Sequence, residues 1–300
     1  MSEKIIELKA LDGVKINGYL LSCDKNSKDV LIEIHGMTSN CFKKRERTIA
    51  ETVKNIGIDS ICINTRGSEI AKYIKYVDGR KELAGTAYED IEESYYDLIG
   101  VIKYAISLGY TSIYLQGHSL GSTKVVYTYN KMKNNHDEEL KYIKGILLLS
   151  LVDIPDMFRT YFRNKYLQYA EEKEKNGNLL ELMPPDAFIH PISVKTYLKY
   201  TKYSKVIDFA QYSNENNDFD ILNKIEVPLF MRWGNINEFI RRDAKNQVDF
   251  MRRVIKKQDI DIDFIDGANH SYNDKEAELA KNIEHFLKNT KNIENFSKKW

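Results

Sequence analysis

A serine stands between two glycines in the pentapeptide Gly117-His118-Ser119-Leu120-Gly121, which fits the pattern G-x-S-x-G. The pentapeptide follows an apolar segment, residues 112–115, that predicts a strand, and it precedes a predicted helix that ends near Lys133. On such a strand-to-helix turn the serine hydroxyl projects from the sheet edge, and small flanking residues let strand and helix approach. The helix N-terminus also favours a developing negative charge. We predict that Ser119 is a nucleophile; the alternative is an ordinary N-cap serine.

The tripeptide His35-Gly36-Met37 follows a predicted strand, residues 30–34. A nucleophilic serine needs N–H donors for the oxyanion of its tetrahedral intermediate, and a loop at this place supplies one of them. We expect the backbone N–H groups of Met37 and Leu120 to be the two donors. Gly36 would let the backbone come close to the substrate oxygen. The side chain of His35 is expected to be structural.

A general base has to reach Ser119 from another loop. The loop after the last predicted strand carries Asp266-Gly267-Ala268-Asn269-His270, and we predict His270 as the base. The remaining histidines are placed less well for this role. His118 is expected to pack beside the serine, and the others lie in a charged loop, a central insert and the final helix, at His136, His190 and His285.

His35-Gly36, the Ser119 turn and His270 resemble the motifs of the α/β-hydrolase superfamily, and the resemblance extends over residues 15–287. The order nucleophile, acid, base along the chain is the order described for that fold. A finer resemblance is to a family of esterase-like hydrolases that includes fungal siderophore ester hydrolases. It is carried by residues 85–89, 97–98 and 117–124.

The acid that orients the base departs from the superfamily pattern. The acid usually follows the predicted strand at residues 227–232, three residues after a glycine, and the residue at that place is Asn237. An amide can orient an imidazole but cannot stabilise the imidazolium by charge. Glu238 comes next and has a longer side chain. Asp153, at the end of the predicted strand 145–152, is a second candidate, and absence of an acid is a third possibility. The structural alternatives are a carboxylate at a helix N-terminus for Glu238 and an N-cap for Asp153.

The elements that must position these residues alternate along the chain. Apolar strands separated by amphipathic helices predict a mostly parallel, eight-stranded sheet with helices on both faces, which is an α/β fold. The predicted strands are residues 5–8, 14–21, 30–34, 60–63, 112–115, 145–152, 227–232 and 260–265. The predicted helices include residues 41–56, 86–108, 239–257 and 273–288, with Thr86 and Glu89 in the spacing of a capping box.

The alternation stops over residues 154–224, which contain four of the five prolines and read as helical and irregular. We therefore expect residues 1–153 and 225–300 to form one α/β-hydrolase core and residues 154–224 to form a helical cap, or lid. A cap over the carboxyl ends of the strands would lie where open α/β sheets bind ligands.

The composition excludes several classes of partner. With 45 Lys and Arg against 44 Asp and Glu, the net charge is +1, so no strong field attracts nucleic acid or anionic lipid. No apolar run approaches the ~20 residues that span a bilayer, and no signal peptide is seen. Three dispersed cysteines and no metal-ligand spacing suit a cytoplasmic protein without a metal site. The oligomeric state does not follow from the sequence.

These residues predict a serine hydrolase that cleaves a small-molecule carboxylic ester through an acyl-enzyme and needs no cofactor. The balanced charge favours a neutral or mildly polar ester as substrate. The same catalytic residues would serve an amidase, peptidase, thioesterase or acyltransferase. An inactive binding protein on this fold is the alternative from another class, and Asn237 motivates it.

Overall fold

A computed structural model describes residues 2–23, 26–257 and 259–297. The strands are β1 (Ser2–Lys9), β2 (Lys15–Ser22), β3 (Asp29–Ile34), β4 (Asp59–Asn64), β5 (Lys72–Lys75), β6 (Lys81–Ala84), β7 (Ser112–His118), β8 (Ile143–Leu149), β9 (Leu229–Ile236) and β10 (Ile260–Asn269). The helices are α1 (Lys44–Lys54), α2 (Ser94–Ser107), α3 (Leu120–Asn135), α4 (Ile154–Thr160), α5 (Leu167–Lys175), α6 (Val194–Tyr200), α7 (Asp220–Asn223), α8 (Ala244–Val254) and α9 (Glu276–Ser297).

Eight strands form one sheet in the order β1-β2-β4-β3-β7-β8-β9-β10. The β1–β2 and β2–β4 pairs are antiparallel, and the other pairs are parallel. The predicted mostly parallel, eight-stranded sheet is confirmed. β7 lies between β3 and β8, so the residues that follow these three strands meet at the same edge of the sheet.

The sheet is covered on both faces because its central strands are apolar on both sides. In β3, Val30 and Ile32 belong to the core under α2, α3 and α8, whereas Leu31 belongs to the core under α1 and α9. Successive side chains of a strand point to opposite faces, which places alternate residues in the two layers. None of the helices within the described ranges is both long and apolar enough to cross a bilayer.

Residues 154–224, all of them described, contain α4 to α7 and contribute no strand to the eight-stranded sheet. Most of the segment packs around its own apolar cluster, in which Phe158 stacks on Phe188 with ring centroids 4.9 Å apart. Leu120 and Ile91 join this cluster from outside the segment. The segment therefore sits directly on the turn that carries Ser119.

The helix predicted over residues 86–108 was wrong at its start. A 3-10 turn spans Ile91–Glu93 and α2 begins at Ser94. The capping box does not form because both of its side chains have long-range partners. The Thr86 hydroxyl donates to the Gly67 carbonyl at 2.9 Å, and Glu89 forms a buried ion pair with Lys124 at 2.5 Å.

Other predicted boundaries also shift. The helix predicted from residue 239 begins at Ala244, where the Asp243 side chain accepts the first-turn N–H of Asn246 at 3.0 Å. β10 runs four residues past its predicted end, after a register irregularity between Ile265 and Asn269. The β5–β6 hairpin was not predicted, because its short strands alternate only weakly between buried and exposed positions.

Candidate active site

Ser119 lies between β7 and α3 with φ 54° and ψ −123°, a backbone conformation that is rare for a residue with a side chain. The turn is possible because its flanking residues are glycines. A Cβ atom on Gly117 would lie 2.3 Å from the Gly121 oxygen, and one on Gly121 would lie 2.3 Å from the Ile34 oxygen. The predicted strand-turn-helix context of the serine is therefore present, with its hydroxyl at the carboxyl edge of the sheet.

His270 directly follows β10, and its ring lies beside the Ser119 hydroxyl. The Ser119 Oγ is 2.9 Å from Nε2 of the ring, and Nδ1 is 2.7 Å from Oε2 of Glu238. Phe239 packs edge-on against the imidazole with ring centroids 4.9 Å apart. Three side chains from three loops thus form one continuous hydrogen-bonded chain.

Glu238 reaches His270 because the backbone turns sharply after β9. Asn237, at the usual acid position, adopts φ 54° and is exposed to solvent. The next side chain, that of Glu238, is 3% exposed. Its Oε1 accepts the Gly234 N–H at 2.8 Å and the Ser150 hydroxyl at 2.5 Å. The carboxylate therefore has three donors, counting His270 Nδ1.

Asp153, the other predicted acid candidate, has structural partners instead. Its side chain caps α4 by accepting the Asp156 N–H at 2.9 Å, and its second oxygen accepts the Tyr212 N–H at 3.0 Å. Burial raises the pKa of Asp153 to about 7. Its contacts match the N-cap alternative considered from the sequence.

The loop after β3 approaches the serine closely. A Cβ atom on Gly36 would lie 3.0 Å from Cβ of Ser119. The Thr38 N–H donates to the Thr86 hydroxyl at 2.8 Å. In the part of the chain that the structure describes, the N–H groups of Met37 and Leu120 have no protein acceptor. Both groups are therefore free to bind an oxygen atom of a ligand.

The two histidines beside the motif residues are buried. His35 contacts the Gly36 carbonyl through Nδ1 at 2.8 Å and accepts the Thr65 N–H at 3.1 Å. Burial, reinforced by the Lys124 charge, lowers the pKa of His35 to about 3. His118 donates from Nε2 to the carbonyl oxygen of His270 at 2.8 Å, and burial holds its pKa well below the usual range. Both rings have structural contacts, as expected.

A cavity of about 690 Å³ opens onto Ser119, a volume typical of small-molecule sites. One wall is polar and includes Lys43, Lys44 and Glu276; Lys44 pairs with Glu276 at 3.2 Å. His190 also lines the cavity, with Nε2 2.8 Å from the Met37 sulfur, and burial lowers its pKa. The apolar wall is formed by Val152, Ile154, Met157, Phe188, Ile189 and Phe239.

Sequence reasoning missed two hydroxyl groups at this site. Ser150 bonds Glu238, and its Oγ is 2.9 Å from the hydroxyl oxygen of Tyr272, a residue on the His270 loop. The available signal was a serine that interrupts the apolar run at residues 146–152. Within the described residues, no three His, Cys, Asp or Glu side chains are grouped so as to hold a metal ion.

No family model and no curated protein matches the chain, but solved structures do. Est1E from Butyrivibrio proteoclasticus is 19% identical with a TM-score of 0.64, over 95% of this chain and 98% of that one; a second structure of it has ferulic acid bound. The α/β hydrolase GrgF from Penicillium sp. sh18 is 15% identical, with a TM-score of 0.64 and coverage of 97% and 99%. The esterase Pf2001 from Pyrococcus furiosus is 17% identical, with a TM-score of 0.57 and coverage of 96% and 92%.

These likenesses span nearly the whole of each chain. The protein therefore has the α/β-hydrolase fold, which is the fold that the resemblance of its motifs implies. At identities of 15–19% the likeness shows the fold alone, because one fold supports many different chemistries.

Proposed function

We propose that this protein is a serine hydrolase that cleaves a small-molecule carboxylic ester through an acyl-enzyme intermediate. The observation that carries the proposal is the continuous chain from Ser119 Oγ to His270 Nε2 at 2.9 Å and from Nδ1 to Glu238 at 2.7 Å. Nucleophile, base and orienting acid within hydrogen-bond reach of one another are the signature of an activated serine.

In the first half of the reaction, Ser119 Oγ attacks the ester carbonyl carbon while His270 Nε2 takes the hydroxyl proton. The carbonyl oxygen becomes an oxyanion, and the N–H groups of Met37 and Leu120 donate to it. Each such donor stabilises the transition state by about 3 kcal/mol. Glu238 stabilises the imidazolium. When the carbon–oxygen bond breaks, the leaving alcohol takes the proton from His270.

In the second half, water enters and His270 accepts one of its protons as the oxygen attacks the acyl carbon. The intermediate collapses, Ser119 Oγ regains a proton from His270, and the carboxylic acid leaves. Ser119 and His270 thus end in their starting protonation states, because the serine proton leaves with the alcohol and a proton from water replaces it, and no cofactor is needed. The cavity beside Ser119 leaves room for the acyl group and for the attacking water.

The shape of the cavity supports a substrate with an apolar part. Residues 154–224, which we propose act as a cap over a core of residues 1–153 and 225–300, supply much of the apolar wall. An apolar wall with few polar groups is the usual form of a small-molecule site. The ferulic acid bound to Est1E, an aromatic carboxylic acid, supports an aromatic or alkyl ester as the substrate class.

The same geometry argues against an inactive binding protein. That alternative required that no carboxylate reach the base, whereas the Glu238 carboxylate contacts the His270 ring. Binding alone also does not require the strained backbone of Ser119 at φ 54° beside the free N–H groups of Met37 and Leu120.

A fluorophosphonate probe tests the mechanism. Ser119 Oγ would displace fluoride from phosphorus, and the wild-type protein should be labelled at that residue. Ser119→Ala should remove labelling and esterase activity, whereas Ser94→Ala, which changes a buried serine outside the cavity lining, should retain both. Labelling that persists in Ser119→Ala would overturn the proposal. Comparing kcat/KM on p-nitrophenyl esters, aminoacyl amides and acyl thioesters then distinguishes ester cleavage from the other bonds.

A further inference from the structure

Ser150 is a buried serine in a strained conformation directly after β8. It has no exposed surface and adopts φ 46°, a left-handed conformation that is strained for a residue with a Cβ atom. Its N–H donates to the Arg232 carbonyl of β9 at 2.7 Å, so the backbone is fixed there. A glycine would satisfy the same backbone without strain. The side chain of Ser150 therefore needs an explanation of its own.

The Ser150 hydroxyl lies among three oxygen atoms. They are Oε1 of Glu238 at 2.5 Å, the hydroxyl of Tyr272 at 2.9 Å and the carbonyl oxygen of His270 at 3.3 Å. A hydroxyl has one proton to donate. Glu238 Oε1 is the nearest of the three and belongs to a carboxylate, so it takes that proton in a charge-assisted hydrogen bond.

Tyr272 connects the same hydroxyl to the loop that carries the base. It lies two residues after His270, and its hydroxyl oxygen is 2.8 Å from the Arg232 carbonyl and 2.9 Å from Ser150 Oγ, so its one proton is directed at these two acceptors. Ser150 thus contacts the Glu238 loop and the His270 loop at once. The separation of Glu238 from His270 depends on both loops, and the Ser150 side chain contacts both of them beside the carboxylate.

We propose that Ser150 is a positioning residue, which holds the Glu238 carboxylate at the distance and angle needed to orient the base. The inference rests on the proposed serine-hydrolase function. Ser150 does not itself line the cavity, so it acts through its contacts with Glu238 and the His270 loop. The effect should appear in the chemical step and leave substrate binding unchanged.

Two variants separate the hydroxyl from the backbone. Ser150→Ala and Ser150→Gly both lose the hydroxyl, but only glycine relieves the strain at φ 46°. With p-nitrophenyl butyrate as substrate, we expect kcat to fall by roughly 10- to 100-fold in both, from the loss of one hydrogen bond to a charged group, with KM within about twofold of wild type. Ser150→Ala should melt roughly 2–4 °C below Ser150→Gly.

A double-mutant cycle shows whether the effect passes through Glu238. In a Glu238→Ala background, Ser150→Gly should lower kcat by less than about twofold further, because the group that Ser150 holds is gone. Ser94→Ala, a buried serine that bonds the Ile91 carbonyl at 2.6 Å, is the matched control and should keep wild-type kcat.

The proposal is overturned if Ser150→Gly keeps wild-type kcat, or if its effect is equally large in the Glu238→Ala background. It is also overturned if kcat follows the melting temperature, with Ser150→Gly more active than Ser150→Ala. These outcomes leave the proposed function intact as long as fluorophosphonate labelling of the wild type requires Ser119.

Discussion

Replacing Glu238 by glutamine tests the most unusual member of the candidate site. The Gly234 N–H and the Ser150 hydroxyl both donate to Oε1, at 2.8 and 2.5 Å, while Oε2 accepts from His270 Nδ1 at 2.7 Å. A glutamine in this place would turn its carbonyl oxygen toward the first two donors, because an NH₂ group there would face two other donors. The amide NH₂ is then directed at Nδ1 of His270.

The result is the wrong tautomer of the base. Nδ1 of His270 has to accept from the amide, so the ring proton moves to Nε2, and Nε2 can no longer take the proton of Ser119. The acid-to-amide change in the serine-protease template lowers turnover about 10⁴-fold, which is about 5.4 kcal/mol of activation free energy. The Glu238 side chain is 3% exposed, so water has little access to replace the lost charge.

We therefore expect Glu238→Gln to lower kcat by roughly 10³- to 10⁴-fold with little change in KM, measured on p-nitrophenyl butyrate. Asp153→Asn, which keeps a good N-cap, is the control and should retain kcat within about twofold. Adding Asn237→Asp to Glu238→Gln should restore nothing, because the side chain of Asn237 faces solvent. A Glu238→Gln enzyme within tenfold of wild type would refute this reasoning, as would rescue by Asn237→Asp.

Three further predictions concern the surroundings of the site. Gly36→Ala adds a Cβ atom 3.0 Å from that of Ser119 and should lower kcat on the same ester by about tenfold or more, with folding by circular dichroism unchanged. Lys124→Met leaves the buried carboxylate of Glu89 unpaired and should cost about 3–5 kcal/mol in urea unfolding, whereas the double variant with Glu89→Gln should recover most of it. Asp153 has a pKa of about 7 in the folded state and about 4 in the unfolded state, so the folded state holds its proton more tightly. The free energy of unfolding therefore falls as the pH rises from about 4 to 7. The melting temperature of Asp153→Asn relative to wild type should therefore be higher at pH 8 than at pH 4, because the amide loses one acceptor at both values but never ionises. An equal difference at both values would show that ionisation of Asp153 is not the cause.

Much of the fold and most of the site follow from local sequence. The Ser119 turn is predictable because its glycines are needed within five residues of the nucleophile, where close backbone contacts tolerate no Cβ. His270 follows from its place after the last strand. The strands are apolar on both faces, which identifies a covered parallel sheet without knowledge of any contact.

The errors have tertiary causes. Thr86 and Glu89 have the spacing of a capping box. Their side chains bind groups that are distant in sequence instead: Thr86 donates to the Gly67 carbonyl, and Glu89 pairs with Lys124. The choice between Glu238 and Asp153 depends in the same way on contacts that no local pattern records. Both follow a core strand, and what separates them is that Asp153 accepts the distant Tyr212 N–H, whereas Glu238 contacts the distant His270 ring.

Glu238, the proposed acid, lies one residue beyond the usual acid position and still contacts the His270 ring. At Asn237 the chain enters the left-handed region, which turns the following residue back toward the base. Glu238 therefore starts one residue later than the usual acid and has one more methylene to span the distance. A longer side chain has more rotamers to lose, so it needs more contacts to stay in one of them. The Gly234 N–H supplies one such contact and the Ser150 hydroxyl a second. The displaced position of Glu238 after β9 thus accounts for the strained Ser150 after β8, because the longer carboxylate side chain needs the Ser150 hydroxyl to hold it in one rotamer.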